Sequence, residues 1–378
     1  MTNLNQKKEN ILFFFMILCF IIGFTIFGFK RYDTLFFMIC TQIYFTIFAL
    51  INIIYTIKLK NSQLKQNISG FFINELLVGI GFLILAVIYP FSFKFVNDPS
   101  VKQLIYFHLW DSLTVHIFCW KIYLYFAQRN NKKYNREMNY EQWKEYFLKK
   151  YSKSSEFKKD LKRKLAHFYP AFVIIGIYGI SIAIEPFTIK YGIDSLTFSQ
   201  YWQFAIAIHF LWMINIADLF RLNDFQKLGK FATRWFENSL RPSEINTFAQ
   251  GSIMILSWFP FFLTNIQILL DIVLISSISD GITSIIGIKF GKISIRRTNK
   301  KLEGTIAGTI ITYLIVILIN LILPFKGLNF LEVNLIALLT ALGFGFVDIF
   351  GKKITDNFLN PIITGLILWS MFNLFQFI

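Results

Sequence analysis

An all-α, polytopic transmembrane helix bundle is the fold class this sequence predicts, and three observations predict it. Hydrophobic residues make up 55% of the 378-residue chain and aromatic residues 19%, and the mean hydropathy is +0.53, more apolar surface than a soluble core hides. Phe, Ile, Leu and Val recur in runs of about 20 residues, the length that crosses about 30 Å of hydrocarbon as helix. Those runs do not alternate polar and apolar residues as barrel strands would, and backbone groups in lipid must bond within their own segment.

Eleven spans are predicted in order: 11–29, 34–57, 71–93, 101–127, 166–186, 200–220, 247–263, 267–288, 304–324, 331–348 and 358–377. The first lacks a small-residue cleavage site before the next apolar run, so it reads as a span and not as a removed signal peptide. The fourth contains His108, Asp111 and His116, which places it facing the bundle interior or at the interface. Those three residues and His209 are expected to make hydrogen bonds between helices. Cys19, Cys40 and Cys119 have no paired or metal-ligand spacing and read as small apolar fillers.

The formal charge of +16 raises nucleic acid as a partner, but the placement of the charge argues for topology instead. Lys and Arg concentrate at 58–65, 129–164, 221–241, 289–301 and 352–353, while the alternate loops near 91–100, 187–199, 264–266 and 325–330 hold few. Basic loops stay in the cytoplasm, so the N-terminus is expected inside and the C-terminus outside. Lys30 and Arg31 break this pattern. The chain is expected to be a multi-pass protein of the plasma membrane or the endoplasmic reticulum membrane, with no nucleic-acid partner and no obligatory protein partner.

Three regions follow: N-terminal transmembrane helices over 1–127, a basic connector over 128–162, and a transmembrane domain over 163–378 that carries the polar chemistry. In the connector, 139–150 reads either as an amphipathic helix on anionic lipid headgroups or as a solvated linker.

From residue 163 onward, polar residues appear at membrane depth, all at the end of the spans where the basic loops lie. Arg163, Lys164 and His167 open the fifth span, Asp218 and Arg221 close the sixth, and Arg241 with Glu244 precede the seventh. Asp280 lies inside the eighth, Glu303 and Thr305 open the ninth, Asp348 closes the tenth, and Asp356 with Asn357 opens the eleventh. A charge within a span is costly unless it faces a paired or wet site, which makes Asp280 a functional candidate.

Such a set suits a polyphosphate: carboxylates offer hard oxygen ligands to Mg²⁺, and Lys and Arg neutralise phosphate oxygens. Two helix N-termini at the same face favour an anion. Gly287, Gly291, Gly304 and Gly308 fit close approach of a ligand, but small-xxx-small pairs more often serve helix packing. There is no P-loop, because "GITSIIGIKFGK" breaks both the spacing and the Ser/Thr requirement, and no protein-kinase signature, zinc-spaced His pair or nucleophile elbow occurs.

The stretch "DGITSIIGIKFGKISIRRTNKKLEGTIAGT" resembles the central motif of the polyprenol kinase family, which includes dolichol kinases, phytol kinases and CTP-dependent diacylglycerol kinases. "RKLAHFYP", "DLFRL", "LRPSEINTFAQGS" and "DIFGKKITDNFLNPIITG" resemble further family segments in the same order, over roughly 163–365. Asp218 and Asp348 depart from it, standing where glutamate is commoner. The phospholipid cytidylyltransferases share a related core but carry a C-terminal signature that is missing here.

The resemblance implies transfer of a phosphoryl group from CTP to a polyprenol- or dolichol-type lipid alcohol drawn from the bilayer. Asp280, Glu303 and Asp356, with Lys301, would be catalytic, and Asp280, Glu303 and Asp348 would hold Mg²⁺. Arg163, Lys164, His167, Arg241, Gly287, Lys289, Gly291, Lys292, Gly304, Thr305 and Asn357 would bind the nucleotide. A diacylglycerol kinase, a cytidylyltransferase forming CDP-lipid, and a transporter are the alternatives.

Overall fold

The computed structural model describes residues 34–60, 71–91, 93, 96, 98–134, 139–152, 155–295, 300–324, 327–351 and 354–377. Among these the chain is helical, its extended pairing being one antiparallel bridge between Ser294 and Lys301. The helices are α1 (Thr34–Lys60), α2 (Phe71–Ile88), α3 (Pro99–Tyr134), α4 (Tyr140–Ser152), α5 (Glu156–Thr188), α6 (Ser195–Asn223) and α7 (Lys230–Ser239). They continue as α8 (Gln250–Trp258), α9 (Ile266–Leu274), α10 (Asp280–Phe290), α11 (Leu302–Ile322), α12 (Phe330–Phe350) and α13 (Asp356–Phe377).

Eight of the described helical segments are long and apolar enough to cross a membrane, so the protein is a multi-pass membrane protein. The expected span at 11–29 lies outside the described residues. The expected span at 101–127 falls within α3, which is too polar to stand among the eight but runs beside α6 in the same direction: His108 meets Tyr201, and Trp120 meets Phe220 at 5.7 Å between ring centres.

The expected span at 247–263 is α8 followed by a five-residue 3₁₀ helix, Phe259–Leu263. Neither piece crosses alone. Yet the Ala249 amide donates to Asp218 at 2.7 Å and the Thr264 carbonyl accepts from Gln200 at 3.1 Å, so this segment accompanies α6 from residue 218 back to residue 200. Those 18 residues of helix rise about 27 Å, and the steeper 3₁₀ rise lets a shorter segment keep pace.

Capping fixes several of the ends. Asp194 accepts from the Thr197 amide at 2.7 Å to start α6, and Asn329 with Glu332 forms a reciprocal box that starts α12. Gly192, at φ 74°, makes the left-handed turn that returns the chain from α5 into α6.

Packing inside the bundle rests on aromatic side chains and small residues, because lipid tails give helices no hydrophobic reason to associate. Phe37, Phe45, Tyr89, Trp110 and Trp212 are fully buried in one core, to which the N-terminal helices and α5, α6, α8, α9, α11, α12 and α13 all contribute. Asn52 and Asn215 exchange amide hydrogen bonds at 3.0 and 2.8 Å across α1 and α6.

A second cluster covers the connector. Trp143 and Phe147 of α4 pack against Phe225, Phe236 and Ile245, and the Tyr140 hydroxyl donates to the Ile245 carbonyl at 2.6 Å. Burial pushes that hydroxyl up to about 12. The apolar face of α4 is therefore covered by protein and not laid on headgroups.

The described segments 139–152, 155–165, 224–246, 291–295 and 300–301 gather at one end of the bundle, referred to below as the basic end. Single cysteines placed at Lys150, Glu237 and Lys292 should react with an impermeant thiol reagent from one side of the membrane, and those at Tyr191 and Gly327 from the other. Reaction of 237 and 292 from opposite sides would break this arrangement.

Candidate functional site

The basic end is assembled from helix termini. Lys164, near the start of α5, ion-pairs with Asp280 at the start of α10, and both side chains are almost wholly buried. One turn earlier Asp160 receives Arg163 at 2.6 Å, and Arg241 stands 3.9 Å away. Asp160 was not singled out in the sequence, although an acid three residues before an arginine on a helix is a readable pair.

Between α10 and α11 the described residues pair as the two arms of a hairpin, with Ser294 opposite Lys301. The Ile295 amide donates to the Lys300 carbonyl at 3.0 Å, and the Leu302 amide to the Ile293 carbonyl at 2.9 Å. Glu303 holds the base of the hairpin, accepting from the amides of Lys292 and Ile293 at 2.9 and 3.1 Å. Lys301 has extended backbone angles, and successive side chains in extended backbone point to opposite faces. The Lys301 ammonium accordingly turns outward to the Ser294 hydroxyl at 2.6 Å, while Lys300 turns inward.

Lys300, a member of the basic cluster after Asp280, carries a role that the sequence did not assign to it. Its ammonium lies between Asp348, at the end of α12, and Asp356, which it reaches at 2.9 Å at the start of α13. Burial alone pulls this ammonium down, but the two facing carboxylates outweigh it and hold Lys300 above the ordinary lysine range. Asp348 also accepts from the Thr305 hydroxyl on α11. Lys164 and Arg241 are both near enough to Asp356 to interact with it electrostatically, which ties the two ion clusters into one site.

Asn357 is buried, and its amide donates to Asp356 at 3.0 Å. The Thr355 amide donates to Asn74 of α2 at 3.0 Å, fixing the turn before α13. Lys289 and Lys292 are exposed, with Lys289 lying 5.1 Å from the centre of the Phe290 ring. The backbone of His167 lies on α5, and its side chain is outside the described set.

The four glycines line the seam between α10 and α11. A Cβ on Gly304 would collide with the Thr283 carbonyl and the Gly287 backbone, and one on Gly308 with Thr283 and Phe344. Close helix packing accounts for these positions without a ligand.

Asp218 and Arg221 serve the framework. Arg221, fully buried, donates to Asp218 at 2.7 Å and to the carbonyls of Ile245 and Thr247, while Asp218 accepts from the Ala249 amide. Together they hold the chain entering α8. Among the histidines expected to bridge helices, His108 bonds Tyr201, whereas His209 bonds the Ala205 carbonyl of its own helix at 2.6 Å and touches His116 ring to ring.

The three carboxylates expected to hold Mg²⁺ each have a different partner: Lys164 for Asp280, the hairpin amides for Glu303, and Lys300 with Thr305 for Asp348. Among the described residues no three His, Cys, Asp or Glu side chains form a metal-holding group. Magnesium shared with nucleotide phosphates needs only one or two protein carboxylates. Asp348 and Asp356 fit that demand in number and in facing one point, which the Lys300 ammonium fills and would leave for the phosphates when a metal took its place.

Asp271, within α9, was also overlooked. It is fully buried, and neither carboxylate oxygen has a hydrogen-bond partner among the described residues. A π-helical turn, Ile275–Ser279, separates it from Asp280, and such turns recur at functional sites. An isolated charge there is very unfavourable, so Asp271→Asn should leave the thermal unfolding midpoint in detergent unchanged or raised. A loss of about 3 kcal/mol or more would mean that the carboxylate has a charged partner.

No protein-family model, curated protein or solved structure matches this chain.

Proposed function

We propose that the protein is an integral-membrane lipid kinase that moves the terminal phosphoryl group of a nucleoside triphosphate to the hydroxyl of a lipid alcohol. The observation that carries this reading is the meeting of Lys164–Asp280 with Lys300, Asp348 and Asp356 at the ends of membrane-long helices. Alternating ammonium and carboxylate groups suit a bound polyphosphate, and their depth suits an acceptor that stays in the bilayer. CTP as donor and a polyprenol- or dolichol-type alcohol as acceptor follow from the motif resemblance alone.

In this reading the alcohol oxygen forms a bond to the γ-phosphorus as the bond from that phosphorus to the β–γ bridging oxygen breaks, releasing the nucleoside diphosphate. Asp280 takes the alcohol proton, with Lys164 holding the carboxylate in place. Lys300, with the exposed Lys289 and Lys292, offsets charge on the phosphates, and positioning plus charge stabilisation supplies most of the catalysis. Mg²⁺, bound through Asp348 and Asp356, would neutralise negative charge on the phosphate oxygens.

The test is incubation of purified protein with Mg²⁺, with CTP or ATP labelled at the α or γ position, and with a panel of dolichol, shorter polyprenols, diacylglycerol and phosphatidate. Transfer of γ-label to an alcohol supports the kinase, and the acceptor identifies the lipid. CDP-lipid and pyrophosphate would assign a cytidylyltransferase instead.

A transporter is the second reading, favoured by the buried, unpartnered Asp271, since ionisable groups inside membrane spans also mark ion pathways. Product formation in detergent, where no gradient exists, decides between them.

A further inference from the structure

Beside the ion cluster, α5, α6, α7 and α8 enclose an apolar cavity of about 130 Å³. Its walls are Pro170, Ile174, Ile177, Ala207, Met254 and their neighbours, and its polar end is closed by Arg163, Glu244 and Gln250. Along α5 the lining runs from residue 163 to residue 177, and 14 residues of helix rise about 21 Å. That is about two thirds of the roughly 30 Å hydrocarbon core.

Three features point to an occupant. Tyr169 of the lining is exposed, as are Phe172 and Ile175 on the same helix, so the groove opens beside a face of α5 that no other part of the described chain covers. An apolar space of this size holds hydrocarbon in preference to water: a dry engineered cavity of about 150 Å³ takes up benzene. At the polar end the Gln250 side-chain oxygen is buried with no hydrogen-bond partner among the described residues, an acceptor open to a donor. Arg163 forms a wall here and also lines a charged cavity that includes Lys150, Asp160 and Arg241, so the polar end adjoins the ion cluster.

We infer that this groove seats one hydrocarbon chain of a lipid alcohol, with its hydroxyl at Gln250 and Arg163 and its tail running along α5. The inference rests on the lipid-kinase reading and adds the seat of the acceptor to it. A volume of about 130 Å³, close to that of a cavity that takes up benzene, accommodates a short stretch of a single chain, while the rest of the chain lies along the open side of the groove. A hydroxyl donor satisfies Gln250, and a headgroup without a donor does not.

The experiment uses a long-chain alcohol carrying a mid-chain diazirine, and its methyl ether, in phosphatidylcholine nanodiscs containing the full-length protein. After photolysis, labelled peptides are mapped by mass spectrometry. The alcohol should concentrate on peptides containing Ile174, Ala207 and Met254, and Ala207→Phe should lower that labelling by about tenfold, the effect of displacing about two buried methylene groups. Labelling of the exposed residues Leu321 and Phe346 should not change. The methyl ether should label the groove less than the alcohol in the native protein and equally in Gln250→Ala.

Gly251→Leu, where the nearest side-chain atom to a new Cβ is Ile214 Cδ1 at 3.6 Å, provides a second blocked groove should Ala207→Phe fail to fold. Labelling spread evenly over groove and outer helices, or unaltered in a folded blocked variant, would overturn the inference. The readout is independent of turnover. Captured alcohol without phosphorylation in any donor mixture keeps the groove and removes the kinase; phosphorylation with diffuse labelling does the reverse.

Discussion

Asp280→Asn should lower lipid phosphorylation by about 10²-fold or more, the usual cost of losing a major electrostatic contribution in a transfer reaction. It should also destabilise the protein, because Lys164, with 3% of its side chain exposed, is left as a buried charge with its partner gone. Breaking one side of a buried pair costs about 3–5 kcal/mol, whereas replacing both sides with neutral groups is often harmless. Lys164→Met combined with Asp280→Asn should therefore recover most of the thermal stability in detergent and none of the turnover. Transfer of γ-label and the unfolding midpoint, measured on the same preparations, separate the two effects. Near-native turnover by Asp280→Asn at saturating nucleotide and Mg²⁺ would remove this carboxylate from the proposed site.

The second large effect is on folding. Arg221→Ala should cost about 3–5 kcal/mol, because it strands the buried Asp218 carboxylate and frees the carbonyls of Ile245 and Thr247. Arg221→Lys should fail as a rescue, since one ammonium cannot reproduce a planar fork that reaches three acceptors. Loss of a monodisperse peak in size-exclusion chromatography, or a sharp drop in the unfolding midpoint, is the expected reading for both variants. A fully stable Arg221→Lys would show that charge, and not geometry, holds the chain entering α8.

The spans were legible because hydrocarbon thickness acts on length and composition, which sequence displays directly. The apolar run at 247–263 was visible too, and Pro260, which has no N–H to continue the α-helical ladder, stands where the α-helix gives way to a 3₁₀ helix. The ends that share a face were legible from the alternation of basic loops. Which groups pair was not, because pairing depends on rotation about helix axes that hydropathy does not record.

Lys300 and Lys301 show the limit most clearly. Neighbours in sequence, they were separable only once the hairpin's extended backbone sent one to the carboxylates and the other to Ser294. The α4 segment was ambiguous for a related reason: an amphipathic helix shows that it has an apolar face, and not what covers it. Asp271 was hidden by the apolar run "ILLDIVL", where a single acid barely alters the hydropathy.

The π-helical turn at Ile275–Ser279 sets the rotational phase of everything that follows it. A regular α-helix advances about 100° per residue, and the wide turn accommodates one residue more than a regular one would. Deleting a single residue there, Ile278 for instance, would let the turn close to a regular one with α10 keeping its face, so Asp280 would still meet Lys164. Deleting a residue from the regular helix that follows, Ile282 for instance, has no slack to draw on and would rotate the rest of α10 by about 100°, turning Gly287 away from Gly304. The wide turn therefore works like a spare link in a chain, taking up one residue so that the two halves of the span stay in mesh.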